Sequence, residues 1–326
     1  MRSARGEATR LLSRAAPRKP EDPAAWPVWR RLIPHVLALA DHTDPATDTI
    51  RMCLLLGRAG EFLEEQGDLP RSIDQLRRAY EGDRRLLGAD HPNTLASRNN
   101  LAYAYQSAGN LARAIELHEQ NLADLLRVLG PDHPNTLTTR NNLAQAYKQS
   151  GDLDRAIPLL EQNLADRLRV LGADHPNTLI SRNNLATAYK SAGDLARAIE
   201  LHEQNLADRL RVLGPDHPNT LTTRNNLAQA YRAAGDPVRA IELHEQNLAD
   251  RLRVLGPDHP NTLNSRNNTA SILRAAGDPR RAVELFEPLL ADAERALGAN
   301  HPLAGAIRHN LALARRQLAS ARRPQA

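Results

Sequence analysis

An all-α solenoid of antiparallel helix pairs is the fold this sequence predicts. Two periodic markers and one fact of composition carry that prediction. His-Pro pairs fall at His91, His133, His175, His217, His259 and His301, each 42 residues after the last. Glycine keeps the same step at Gly67, Gly109, Gly151, Gly193, Gly235 and Gly277. Self-similarity at such a period marks an array in which each unit buries its apolar side against its neighbours. The chain is rich in Ala, Leu and Arg and only 3% aromatic, which suits helix better than sheet. Its 326 residues would otherwise suggest two domains, a prior that the repeats override.

The net charge of +5 is unevenly spread. Within residues 1–20, Arg2, Arg5, Arg10, Arg14, Arg18 and Lys19 outweigh Glu7 by five charges. Arg315, Arg316, Arg322 and Arg323 add four more, which leaves residues 21–314 at about −4. Basicity confined to the ends argues against the array itself binding nucleic acid. No stretch approaches the roughly 20 apolar residues of a membrane helix, and the N-terminus lacks a signal peptide's apolar core. Cys53 is the single cysteine, so a cytoplasmic protein is expected, with no membrane partner.

Residues 1–20 read as a disordered basic arm. Residues 21–44 hold Trp26, Trp29, Leu32, Ile33, Val36, Leu37 and Leu39 and are expected to form a capping helix over the first repeat. Six helix pairs then follow over 45–300, at about 45–88, 91–130, 133–172, 175–214, 217–256 and 259–298. The first is degenerate, with Thr49 where later repeats have His. In the second, Asp90-His91-Pro92 opens a helix: Asp or His can cap, and proline suits the first turn. Leu95, Leu101, Ala102, Tyr105 and Ala108 recur at helical spacing, and Gly109 ends the helix. Asn110 caps the next one, which carries Leu111, Ala114, Ile115, Leu122, Leu125, Val128 and Leu129 up to Gly130. Residues 301–319 form a lone capping helix and 320–326 a tail. Pro158 and Pro288 lie well inside second helices and are expected to bend them. Arg98, Arg140, Arg182, Arg224, Arg266 and Arg308 are expected to pair across repeats.

The run Asn-Leu-Ala-x-Ala-Tyr, then Gly-Asp/Asn and Ala114-Ile115, resembles the tetratricopeptide repeat. The 42-residue unit with Leu-Gly-Pro-Asp-His-Pro-Asn-Thr and Arg-Asn-Asn-Leu-Ala looks like the kinesin light chain type over about residues 45–319. The Ala/Arg-rich composition and Pro27–His35 resemble the C-terminal arrays of bacterial STAND signalling ATPases. No Gly-x-x-x-x-Gly-Lys occurs, and the lysines are Lys19, Lys148 and Lys190. The tetratricopeptide resemblance implies a right-handed superhelix whose first helices line a concave groove for extended peptides.

The residues of that face can be read independently. Thr138, Asn141, Asn142, Gln145, Lys148 and Gln149 form a polar stripe opposite Leu143, Ala144 and Tyr147. Its counterparts are Asn99, Asn100 and Tyr103; Asn183, Asn184 and Lys190; Asn225, Asn226, Gln229 and Arg232; and Asn267, Asn268 and Arg274. Carboxamides at Asn100, Asn142, Asn184, Asn226 and Asn268 can donate to a peptide carbonyl and accept from its N–H. The resemblance assigns that task to an asparagine at this position. Lys148, Lys190, Arg232 and Arg274 would attract acidic side chains. The same asparagines are equally able to bond to the neighbouring repeat, and the same cations to serve as a solvated face. Kinesin light chains tend to carry basic groups in the first turn, where Ala96, Thr138, Ile180, Thr222 and Asn264 stand here, which weakens the case for strict acidic-peptide selectivity.

His118, His202 and His244 sit in His-Glu-Gln-Asn, without the second histidine four residues on that a zinc-protease helix needs. No metal, cofactor or catalytic constellation is expected, and so no enzyme. Arg113–Tyr147 and Arg197–Tyr231 differ only at Leu125 against Arg209, so the units present nearly the same surface, as suits a long or repetitive ligand. The expected function is a protein-interaction scaffold for a peptide or partner segment. One alternative is a regulatory module acting with a separate signalling ATPase; another is a nucleic-acid or anionic-surface tether through the termini.

Overall fold

Each helix end is written locally. Gly109 has φ 76°, the left-handed region that costs glycine least, and it ends a helix there. The Asn110 N–H then reaches back to the Tyr105 carbonyl at 2.9 Å, while Asn110 caps the next helix by accepting from the Arg113 N–H. In the His-Pro motif the cap is the histidine. Nδ1 of His91 accepts from the Asn93 N–H at 3.1 Å, and His133, His175, His217, His259 and His301 repeat the bond. The threonine of the motif closes the link, since the Thr94 hydroxyl donates to the Gly88 carbonyl at 2.8 Å.

The structure is a computed structural model that describes residues 4–321. Among them are fifteen α-helices and no strand. Contacts divide the chain into two compact units, Met1–Val170 and Leu171–Ala326. The first unit holds α1 (Ala4–Ala15), α2 (Trp26–Asp41) and three helix pairs: α3 (Ile50–Glu65) with α4 (Leu69–Leu87), α5 (Pro92–Ser107) with α6 (Leu111–Val128), and α7 (Pro134–Gln149) with α8 (Leu153–Leu171). The second unit holds α9 (Pro176–Ser191) with α10 (Leu195–Leu213), α11 (Pro218–Ala233) with α12 (Pro237–Leu255), α13 (Pro260–Ala275) with α14 (Pro279–Leu297), and the single α15 (Pro302–Ala321).

At the start of the first unit, Trp29 stacks on Phe62 at 5.7 Å, within a core shared by Ile33, Val36, Met52 and Leu56. The expected flexible arm is instead largely helix α1. Leu12 and Ala16 join that core, and Nη2 of Arg5 binds the buried Asp48 carboxylate at 2.8 Å beside Arg78. An apolar edge and a buried acid to pair with outweigh the arm's charge. Arg2, Arg322 and Arg323, expected in the basic ends, lie outside the described residues. At the far end of the second unit, α15 lays Ile307, Leu311 and Ala314 over Phe286, Leu289 and Ala293 of α14.

Of the arginines expected to pair across repeats, Arg308 of α15 does so with Glu294 of α14, and the other five pair within their own repeats. Arg98 of α5 binds Asp124 of α6 at 2.8 Å, and Arg140–Asp166, Arg182–Asp208, Arg224–Asp250 and Arg266–Asp292 follow the same pattern. Each such aspartate also meets an arginine one turn on, as Asp124 meets Arg127, which reaches back to Asp90 ahead of the His-Pro cap. The pair lies 26 residues apart because that spacing puts the first turns of one helix opposite the last turns of its antiparallel partner. Helices α8 and α14 continue through Pro158 and Pro288, and α2 through Pro34, which the sequence did not flag.

Candidate functional site

The polar stripe lies on the first helix of each pair, and the two units hold it differently. In the first unit, Nδ2 of Asn142 donates to Oδ1 of Asn99 at 3.2 Å, and the Thr139 hydroxyl donates to the same oxygen at 3.3 Å. Asn100 donates back to Glu61 of α3 at 2.5 Å. Burial, with the charge of Glu21 adding to it, pushes the Glu61 carboxyl up to about 7. Tyr103 is half exposed, and its hydroxyl is pushed up by burial and by Glu64 and Glu65. Asn141, Asn142, Gln145 and Lys148 are half-buried, and the amide nitrogen of Gln145 lacks a partner.

In the second unit, Asn226 donates to Asn183 at 3.0 Å and Asn268 to Asn225 at 3.3 Å. Asn310 of α15 adds a rung, donating to Asn267 at 3.0 Å. That residue escaped the sequence reading although its signal was present: Arg308, Asn310 and Leu311 keep the register of Arg266, Asn268 and Thr269. Asn226 and Asn268 each use one amide hydrogen on the preceding repeat, whereas Asn310 also meets the Ser271 hydroxyl at 3.4 Å. Asn184 is half-buried on the same stripe. Lys190 is half-buried, with Nζ on the Gln229 side-chain oxygen at 3.0 Å. Burial, then the charge of Arg232, pulls its ammonium below the ordinary lysine range. Arg232 is exposed, whereas Arg274 is half-buried with its Nε unpartnered.

His118, His202 and His244 do not reach this face. They are buried in α6, α10 and α12, and burial pushes each imidazole down to about 4. Among the described residues, no group of three or more His, Cys, Asp or Glu side chains comes together as metal ligands would. No helix among them is long and apolar enough to cross a membrane.

Comparison with known proteins agrees with this architecture. No curated protein matches the chain. Among solved structures, a kinesin light chain protein of Podosopora anserina with nearly identical TPR-like repeats is 36% identical, covering 64% of this chain and 98% of its own, with a TM-score of 0.58. BtubC (BKLC) from P. vanneervenii is 24% identical over 79% of this chain and 95% of its own, with a TM-score of 0.57. A tetratricopeptide repeat protein from Parabacteroides merdae covers 95% of this chain and all of its own at 17% identity and a TM-score of 0.63. The tetratricopeptide repeat profile matches residues 51–123, 99–167, 149–210, 193–251 and 238–291. With that profile spanning most of its length and 42-residue units like those of kinesin light chains, the chain belongs to the tetratricopeptide repeat family.

Proposed function

We propose that the protein is an interaction scaffold that holds an extended peptide along the first-helix faces, with acidic side chains taken up by the second unit. Tetratricopeptide repeats generally mediate protein–protein contacts, and the polar faces described above suit that role. One observation carries the acidic preference: Lys190 is half-buried beside Arg232 with no carboxylate paired to it among the described residues. Two cations brought together under partial desolvation repel, and a ligand carboxylate between them would reverse that penalty. The remaining amide hydrogen and oxygen of Asn226 and Asn268 are placed to read peptide backbone, which demands no particular sequence.

Fluorescence anisotropy with labelled peptides carrying aspartate and glutamate tests this against wild type and a Lys190→Ala/Arg232→Ala variant. The variant should bind about tenfold or more weakly. Equal binding by both proteins would remove the cations from the site. Loss on Asn226→Ala and Asn268→Ala, irrespective of peptide sequence, would assign the backbone role to the carboxamides.

A further inference from the structure

One repeat position changes its chemistry along the chain: Asp83, Leu125, Arg167, Arg209, Arg251 and Ala293 stand 42 residues apart on successive second helices. In the second unit, Arg209 of α10 is 4% exposed. Its Nη1 donates to the Asn219 carbonyl of α11 at 2.6 Å and its Nη2 to the Leu179 carbonyl of α9 at 3.3 Å. Arg251 makes the first of these bonds to Asn261 at 2.7 Å. A guanidinium thus fills the space between consecutive first helices and bridges their carbonyl oxygens.

The first unit has cavities in the same register. Around Leu125 the space is about 160 Å³, and its lining includes Leu95 and Asn135, the counterparts of Leu179 and Asn219. One repeat earlier, around Asp83, it is about 270 Å³, and its lining includes the equivalent Cys53 and Asn93. The two cavities share Ala96 and Asn100. At Asp83 the substitution inverts the electrostatics. Its side chain is 4% exposed, and Oδ1 has no hydrogen-bond partner. Arg18, Arg58 and Glu61 also line this cavity, yet neither arginine forms an ion pair with Asp83 among the described residues. Burial pushes the carboxyl up, opposed by the Ser97 hydroxyl and by His91. Where Arg209 sets a buried donor against two carbonyls, this repeat sets a buried acceptor in the same register. A buried carboxylate left in that state is costly and calls for a cation.

We propose that the Asp83 cavity is the receptor pocket for an arginine side chain of the bound peptide. The inference rests on the peptide lying along the first-helix face, from which Gly57, Arg58, Glu61, Ala96 and Asn100 line the cavity. A Cβ built on Gly57 meets nothing within 4 Å, so that side of the cavity is uncrowded. The volume is below the roughly 300 Å³ of a small-molecule site and suits one long side chain. A guanidinium fits better than an ammonium because its planar fork matches the geometry of a carboxylate.

The test is anisotropy with labelled Gly/Ser octapeptides carrying either one arginine or one citrulline, its neutral isostere. Wild type should bind the arginine peptide about tenfold or more tightly than the citrulline one. D83N should erase that preference. D83R fills the cavity from within, as Arg209 does, and should abolish binding while keeping a cooperative melt. Equal affinity for the two peptides, or full binding by D83N, overturns the pocket. An acidic peptide run in parallel on Lys190→Ala/Arg232→Ala separates the two proposals. If it loses binding there while the arginine peptide ignores D83N, only the pocket falls. If neither peptide binds wild type, both fall.

Discussion

Single side chains that look alike in sequence have different fates. His202 and His244 occupy the position held by the buried Leu76, Leu160 and Phe286 in other repeats, and they are enclosed as completely. Their imidazoles are held down to about 4, by burial first, then by Lys190 and Arg209 at His202 and by Arg232 and Arg251 at His244. Above about pH 6.5 both folded and unfolded chains carry them neutral, at no cost. As pH falls from about 6.5 to about 4, the unfolded chain takes up protons that the folded one refuses, so stability is lost across that window. The loss is at most about 3 kcal/mol per histidine. Melting of a His202→Leu/His244→Leu variant at pH 7.5 and pH 5 should therefore show a smaller drop than wild type; an equal drop would place the acid sensitivity elsewhere. The sequence showed the repetition of these histidines but not their burial, because a residue's enclosure depends on which helix face turns inward.

Helices were the most legible level, since caps, glycine stops and apolar spacing act within a few residues. Two exceptions invite measurement. Pro158 is exposed on α8 where the sister residues are Glu116, Glu200 and Glu242, and it cannot donate to the Asp154 carbonyl. Pro158→Glu should stabilise the first unit by about 1–3 kcal/mol, read as a higher urea midpoint. Gly60 of α3 faces α4 so closely that a Cβ would lie 2.5 Å from Leu76 Cγ and 3.2 Å from the Ser72 carbonyl oxygen. Gly60→Ala should cost about 1–3 kcal/mol, lowering the same midpoint. That glycine has no turn signal, so its reason lies wholly in helix–helix contact.

At the scale of the whole molecule, a repeat array must close its ends. In the second unit α15 supplies Ile307, Leu311 and Ala314 to cover Phe286 and Leu289, both fully buried. Deleting residues 302–326 should expose that apolar patch, lowering the melting temperature and producing higher-mass species in light scattering. A monomer with unchanged melting would show the cap to be dispensable.

The sequence by itself determined the period, the helical class, the helix pairing, the family and the polar stripe, because each is encoded in local propensity or in spacing repeated many times. Only the tertiary structure decided the partners. It placed Arg98 on Asp124 within its own repeat, tied Asn142 to Asn99, docked α1 through Arg5 on Asp48, and left the Asp83 carboxylate facing a cavity where Arg209 has carbonyls. The first three of these contacts join residues 26 to 43 positions apart. Their geometry follows from how neighbouring helices pack, which repeated local signals do not specify.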